Sequence, residues 1–388
     1  MAKTIDRRTW IRTSALMAGG MAFLRGGVAK LSAMPIIKNI KTAALKEQTF
    51  LQSIPPETTA RLSANENPFG PSPAVKKAIQ DTIDIGFRYP IDLYGMLVDK
   101  IATFEGVKRE NILLNAGSSP LLLAAAMEYS KGGKSIITGD PSYDDLPSTA
   151  EGFGGKWVKV PLTPEFKLDL DAMEAKVDDN TGLVYICNPN NPTATVLDTT
   201  KLKAFVERVS KKTTVFVDEA YIDYLPDPRG ASIMGAVLAG QNVIVARTFS
   251  KLYGFAGLRC GYLVAQPKTV DLLGNLTTGA FSMSATTVAG AIAGYNETEF
   301  LQDALKKTIA SKEYLYGVLK GEGYTFIPSS ANFVLFPIKM EGRKFSEEMG
   351  KRGVSIRNWQ IGEQHYCRVS IGTMDEMKLF ADAFKQIS

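Results

Sequence analysis

Val215-Phe216-Val217-Asp218-Glu219-Ala220-Tyr221 reads as a buried strand that ends in a carboxylate. An apolar, β-branched run leads straight into a carboxylate. A run without polar alternation suits a strand buried on both faces, and an acid at its end is costly unless something pairs with it. Short apolar runs of the same kind recur at 135–138, 183–187, 214–217, 243–246 and 261–264, each bounded by turn residues. Helical spacing, as at 202–209, separates some of them. Strands alternating with helices predict an α/β protein built on a mostly parallel sheet covered on both faces. Ligands of such sheets bind beyond the carboxyl ends of the strands. The distinctive polar residues of this chain sit at those ends.

Outward from this centre, residues 74–285 read as one large domain. Helical spacing covers 74–85, with Val75, Ala78, Ile79 and Thr82 on one face, and again 93–104. A short strand at 111–114 enters Asn115-Ala116-Gly117-Ser118-Ser119, and 120–129 reads as a buried helix with Pro120 suited to its first turn. Residues 286–388 read as a smaller α+β C-terminal domain, with helices at 286–295 and 300–319 and strands at 325–326, 333–336, 354–357 and 367–371. Residues 34–73 form an N-terminal arm, broken by Pro55-Pro56 and ending in a loop rich in Asn, Pro and Gly.

Residues 1–33 stand apart. Asp6-Arg7-Arg8-Thr9-Trp10-Ile11-Arg12 precedes a mildly apolar run at 14–24, a pattern that resembles a twin-arginine export signal. The run is well short of the ~20 residues a spanning helix needs. The expectation is a periplasmic or otherwise exported protein without stable membrane insertion; the alternative is a cytoplasmic one with an amphipathic N-terminal helix.

Composition narrows the chemistry. In 388 residues there is one histidine, His365, which reads as a surface or loop residue. Ser-His-Asp triads, Cys-His pairs and His-ligated metal sites all need histidines at defined places. Cys187, Cys260 and Cys367 fit no zinc spacing and no closed disulfide framework, and read as buried free thiols. No metal site is expected. The net charge of +5 is small and no basic block appears, so nucleic acid is not an expected partner.

Four motifs at strand ends carry the chemistry. Thr248-Phe249-Ser250-Lys251 is followed eight residues later by Arg259. A lysine in a dry, cation-rich pocket has its pKa lowered, and its amine becomes a nucleophile toward an aldehyde. Two hydroxyls and an arginine suit a phosphate dianion. Asp218 suits a pyridinium nitrogen, which it keeps protonated so that the ring acts as an electron sink. In Cys187-Asn188-Pro189-Asn190-Asn191-Pro192-Thr193, a rigid turn presents Asn191 as a neutral donor. Gly117-Ser118-Ser119-Pro120 opens a helix whose N-terminal amides form a phosphate site.

With these motifs the sequence resembles the fold type I pyridoxal 5'-phosphate (PLP) aminotransferases, most closely the histidinol-phosphate aminotransferase branch. The likeness also runs through Leu62-Ser63-Ala64-Asn65-Glu66-Asn67-Pro68, Arg88-Tyr89-Pro90, Pro141-Ser142-Tyr143 and Arg368-Val369-Ser370-Ile371-Gly372-Thr373. It implies that Lys251 holds PLP as a Schiff base and shuttles the proton, while Asp218 pairs with the ring nitrogen. It implies that Tyr221 and Asn191 bond the ring oxygen, and that Tyr143 stacks on the ring. Gly117, Ser118, Ser119, Thr248, Ser250 and Arg259 would cradle the phosphate, joined by Tyr89 from the second subunit of a homodimer with shared sites. Arg368 would bind the substrate α-carboxylate, Arg357 a second acidic group, and Asn65 would belong to the substrate site. The implied reaction moves an amino group from an amino acid, or a histidinol-phosphate-like amine, to a 2-oxo acid. The alternatives are a PLP-dependent decarboxylase of the phosphothreonine type and a non-catalytic binding protein on the same fold. Two positions depart from the family pattern. Ser119-Pro120 stands where an acidic pair is usual, and Ala194 where glycine follows Asn-Pro-Thr.

Overall fold

The computed structural model describes residues 59–388. The expected export segment at 1–33 and most of the expected arm lie outside the described residues. Seven strands form the central sheet: β2 (Ile112–Asn115), β3 (Ser135–Asp140), β4 (Lys156–Pro161), β5 (Thr181–Cys187), β6 (Thr214–Asp218), β7 (Val243–Thr248) and β8 (Gly261–Val264). Their order is β2-β8-β7-β6-β5-β3-β4. The pairings among β4, β3, β5, β6 and β7 are parallel, and β8 runs antiparallel to both β7 and β2.

Period-2 geometry sorts the apolar runs into two cores. Val184, Ile186, Val215, Val217 and Val245 point to one side, where Leu202, Phe205 and Val209 of the Thr199–Val209 helix cover them. Leu183, Tyr185, Cys187, Phe216, Ile244 and Ala246 point to the other, against Leu121, Leu122 and Ala125 of the Ser119–Tyr129 helix. This double coverage is why the central strands read as unbroken apolar runs. Asp218 shares the face of Phe216 and so emerges beside Tyr185 and Cys187.

A second, three-stranded sheet has the order β11-β12-β9, from β9 (Phe333–Pro337), β11 (Arg357–Ile361) and β12 (Gln364–Ser370). Val334, Phe336, Cys367 and Val369 pack there on Leu315, Leu319, Phe380 and Phe384 of two helices. Ala60 and Leu62 join this core, because β1 (Ala60–Arg61) pairs with β10 (Val354–Ser355).

Several elements differ from the sequence expectation. The strand expected at 325–326 does not form; Phe326 instead lies flat on Tyr316 of the Thr298–Gly321 helix, with ring centroids 4.2 Å apart. The strand expected at 354–357 is split, and β11, with exposed Asn358 and Gln360, is too polar on one face to announce itself. Edge strand β4 escapes for another reason, since Lys156 and Lys159 fall on opposite faces and break the alternation of its apolar residues. His365 lies half-buried on β12 rather than in a loop. Cys187, Cys260 and Cys367 are buried and free. Among the described residues no helix is long and apolar enough to cross a membrane, and no cluster of three potential metal ligands occurs.

Candidate active site

A cavity of about 400 Å³ opens where the carboxyl ends of β5, β6 and β7 face β11 and β12 of the small sheet. The segment 63–66 closes one side. Asn65, Ser118, Ser119, Tyr143, Asn191, Asp218, Tyr221, Thr248, Ser250, Lys251, Arg259, Arg357 and Arg368 all line it. Residues more than 300 positions apart are thus brought to one place, as the Ser370 Oγ bond to Asn65 Oδ1 (2.6 Å) shows.

Lys251 stands just past the end of β7, with Nζ donating to the Asn65 carbonyl at 3.0 Å. Burial, helped by nearby Arg368, pulls its amine down to about 8, although Asp218 pulls the other way. Asp218 terminates β6. Its carboxylate accepts from the Tyr185 hydroxyl (3.0 Å) and the Ala220 amide (3.1 Å). Burial outweighs these bonds and the Lys251 charge and pushes the acid up to about 6. It is a buried acid held by neutral donors, and a cation beside it would offset the desolvation cost.

Tyr221 accepts from Asn65 Nδ2 at 2.9 Å, which leaves its own hydrogen for a group in the cavity. Asn191 is oriented by Arg368. An arginine only donates, so the amide carbonyl faces Nη1 (2.7 Å) and the NH2 group remains as a donor. Tyr143 donates to the Asp145 carboxylate, which fixes its ring at the cavity wall.

The anion cradle is built from backbone as much as side chain. Gly117 has φ +88°, and a Cβ there would stand 2.5 Å from the Arg259 guanidinium. Only glycine lets the Ser119–Tyr129 helix N-terminus approach that cation. Arg259, itself at φ +61°, donates through Nη1 to Ser250 Oγ (3.3 Å) and to the Ala256 carbonyl (2.9 Å). Thr248 Oγ1 donates to Ser250 Oγ at 3.0 Å. The hydroxyls of Ser118, Ser119, Thr248 and Ser250, a guanidinium and a helix N-terminus therefore converge.

Arg368 is buried on β12. Its guanidinium lies 4.5 Å from the Trp359 ring and 5.3 Å from the Phe333 ring, and Nη2 donates to the Ser63 carbonyl at 3.2 Å. Nε has no partner, and burial lowers the group to about 10. Arg357, the antiparallel partner of Arg368 across β11 and β12, is lowered by burial too, against the charges of Tyr143, Asp145 and Asp144.

Two expected residues stand off the cavity. Gly117 acts from behind Ser118, and Tyr89 lies outside on the same subunit, 78% exposed and edge-on to Phe281. Sequence reasoning missed Ser63, Cys187, Tyr185, Trp359 and Phe333. Tyr185 was within reach, being the one hydroxyl in the aliphatic run 183–187 and on the strand beside Asp218. Trp359 carries no signal without its strand. The two departures have local explanations. Pro120 sits in the first turn of its helix, where no amide hydrogen is needed, and Ala194 adopts φ +58°, the left-handed region in which glycine is free of strain.

The family model described as aminotransferase class I and II matches residues 57–384. A histidinol-phosphate aminotransferase of Moorella thermoacetica is 35% identical over 84% of this chain and 85% of its own. An aromatic amino acid aminotransferase of Mycolicibacterium vanbaalenii is 36% identical over 82% and 90%. Among solved structures, the histidinol-phosphate aminotransferase of Sinorhizobium meliloti in complex with pyridoxal-5'-phosphate has a TM-score of 0.79 at 26% identity, covering 95% of this chain and 100% of that one. The fold and the site define a PLP-dependent transferase of fold type I. The chain belongs to the class I and II aminotransferases, enzymes that depend on PLP, use amino and keto acid substrates and typically act as dimers.

The cavity fits that cofactor. A raised, buried acid would suit a cationic ring nitrogen, and two free donors a ring oxygen. The cradle at Gly117 and Arg259 would suit a phosphate, and a lowered amine an aldehyde.

Proposed function

We propose that this aminotransferase takes its amino group from an α-amino acid and delivers it to a 2-oxo acid by a ping-pong route, with Arg368 holding the carboxylate both substrates carry. One observation carries the reading: Arg368 is buried between two rings, has no carboxylate partner among the described residues and keeps Nε unmatched. A buried guanidinium in that state is costly, and a substrate carboxylate offsets the cost with charge-assisted bonds. Histidinol phosphate has no α-carboxylate, so with that donor Arg368 would have to serve another group.

PLP, when bound, supplies an electron sink that makes the donor's α-hydrogen acidic. The chain's own residues do the rest. Lys251 Nζ, lowered to about 8, would take the proton from the substrate α-carbon and deliver it across the substrate nitrogen to the carbon that was the cofactor's aldehyde. Asp218 keeps the ring nitrogen protonated, while Tyr221 and Asn191 donate to the ring oxygen. Tyr143 covers one ring face. Ser118, Ser119, Thr248, Ser250 and Arg259 hold the phosphate, with Tyr89 of the partner subunit as a further donor. Support for that shared site is the apolar surface around Tyr89: Phe87 and Phe281 are 77% and 63% exposed, and Ile83 and Ile91 add to it. Asn65 positions Tyr221 and, through its carbonyl, Lys251.

The chain is further proposed to be exported through Arg7-Arg8. The supporting logic is that the twin-arginine route moves folded proteins, and a protein carrying PLP folds around it first. Replacing both arginines with lysine should trap the protein in the cytoplasm; an unchanged periplasmic fraction would contradict export by this signal. The donor is tested by a half-reaction screen, adding each amino acid or phosphorylated amine to the PLP-loaded protein and following the visible absorption of the cofactor. Loss of the band with α-amino acids supports the reading, and loss with histidinol phosphate alone opposes it.

A further inference from the structure

Behind the cavity, on the far side of the β6 and β7 ends, lies a buried ionic cluster that the chemistry above does not use. Glu219 directly follows Asp218, and Arg247 directly precedes Thr248. Neither lines the cavity; Asp218 and Thr248 both do. Arg247 Nε donates to Glu219 Oε2 at 2.9 Å, and Arg247 Nη2 donates to Ser232 Oγ at 3.0 Å. The same Ser232 hydroxyl donates to Glu219 at 2.9 Å, and the Ile233 amide donates to Glu219 Oε1 at 2.7 Å. The Glu219 amide itself donates to the Ala246 carbonyl at 3.0 Å, one residue beyond the last β6–β7 register pair, Asp218 and Ala246.

Glu219 is therefore tied to β7 at two points, by backbone and by side chain. We propose that Glu219 and Arg247 are positioning residues of the transamination site, a cross-brace that fixes the ends of β6 and β7 so that Asp218 and Thr248 meet the two ends of the cofactor at a set spacing. The inference rests on the placement of Asp218 at the ring nitrogen and Thr248 at the phosphate. Successive side chains on a strand point to opposite faces, so a brace on one face sets the carboxylate and hydroxyl on the other. Stability alone is a poor account of the cluster, because a buried ion pair is often no more stabilising than apolar residues of equal volume. Glu105 also approaches Arg247, at 3.7 Å, but arrives from the Ile91–Glu105 helix and braces neither strand end to the other. That difference makes it the natural control.

The test titrates PLP into cofactor-stripped full-length protein, records the pH midpoint of the bound cofactor's visible band, and measures the thermal midpoint of each variant. Glu219→Gln keeps the shape and removes the charge that grips Arg247. It should weaken PLP binding about 10-fold or more, as loss of a supporting shell does, and move the band's pH midpoint. Arg247→Lys, which keeps the charge and loses the fork, should do the same and carries the test should Glu219→Gln not fold. Glu105→Gln should stay within about 2-fold of the parent in PLP affinity, because Glu105 meets Arg247 without tying the end of β6 to that of β7. Asp218→Asn is run alongside. If it also leaves PLP binding and the band unchanged, the reading of the site itself fails. If Asp218→Asn shifts either and the two brace variants lower only the thermal midpoint, or if Glu105→Gln matches Glu219→Gln, the brace is refuted and the site stands.

Discussion

Arg357 and Arg368 stand opposite one another on neighbouring antiparallel strands, and both line the cavity that holds Lys251. Burial lowers both guanidiniums, and for Arg368 the neighbouring charge of Arg357 adds to the effect. An anion between them offsets both costs. Their surroundings differ, however. Arg368 has only neutral acceptors, whereas Arg357 is faced by Asp144 and Asp145.

From that difference follows a prediction on substrates. Arg368→Ala should impair every amino-acid donor, because each brings its carboxylate to the same place. Arg357→Ala should matter only for donors with a second anion, since a distal charge left unpaired in a partly buried pocket costs about 2–5 kcal/mol. For phosphorylated or dicarboxylic donors kcat/KM should fall ~30-fold or more; for aromatic or aliphatic ones the change should stay under roughly 5-fold. Equal losses for all donors in steady-state assays would mean that Arg357 supports the fold and does not read the substrate.

Asp218→Asn should lower the transamination rate by orders of magnitude while PLP still binds, because an amide cannot keep the ring nitrogen protonated. The same variant should show the opposite sign in stability without cofactor. The Asp218 carboxyl is raised from 3.8 to about 6 in the folded protein, so the fold binds its proton more tightly than the unfolded chain does. Its burden is absent below about pH 4, grows as pH rises to 6, and above that is fully present at up to ~3 kcal/mol. Cofactor-free Asp218→Asn should therefore be more stable than the parent at pH 8 and lose that advantage at pH 4. Denaturation midpoints at the two pH values check the sign.

Much of this was legible in the chain, and the reason is physical. Strands buried on both faces write themselves as apolar runs, and the turn residues after them carry the charges, so Lys251, Asp218, Asn191 and Arg259 stand out. Asn65, 186 residues from Lys251, and Arg368 are placed by family likeness and joined to the site only by tertiary folding. Trp359 stayed hidden because β11 alternates half-buried and exposed residues and reads as loop. Tyr185 looked like one more core residue until the register put it beside Asp218. Glu219 and Arg247 each read as an ordinary charge next to a functional residue; only the pairing of β6 with β7 turns them into a couple.

Lys251→Ala should fold and lack transamination, since the group that holds the cofactor and moves the proton is gone. Tyr89→Ala should be impaired through the other subunit. Mixing the two inactive or weakened variants under conditions that exchange subunits should restore activity, because a hybrid dimer holds one site with both residues intact. If mixing restores nothing although hybrids form, Tyr89 does not act across the interface.

Transfer of an amino group from an α-amino acid, with Lys251 at the centre, is put to the test by a single turnover of the PLP-loaded protein with an α-amino acid donor and no acceptor. The visible cofactor band should be lost with one equivalent of 2-oxo acid per site and no carbon dioxide, and should return when a 2-oxo acid is added. Release of carbon dioxide, or a band that survives every α-amino acid offered, would contradict it.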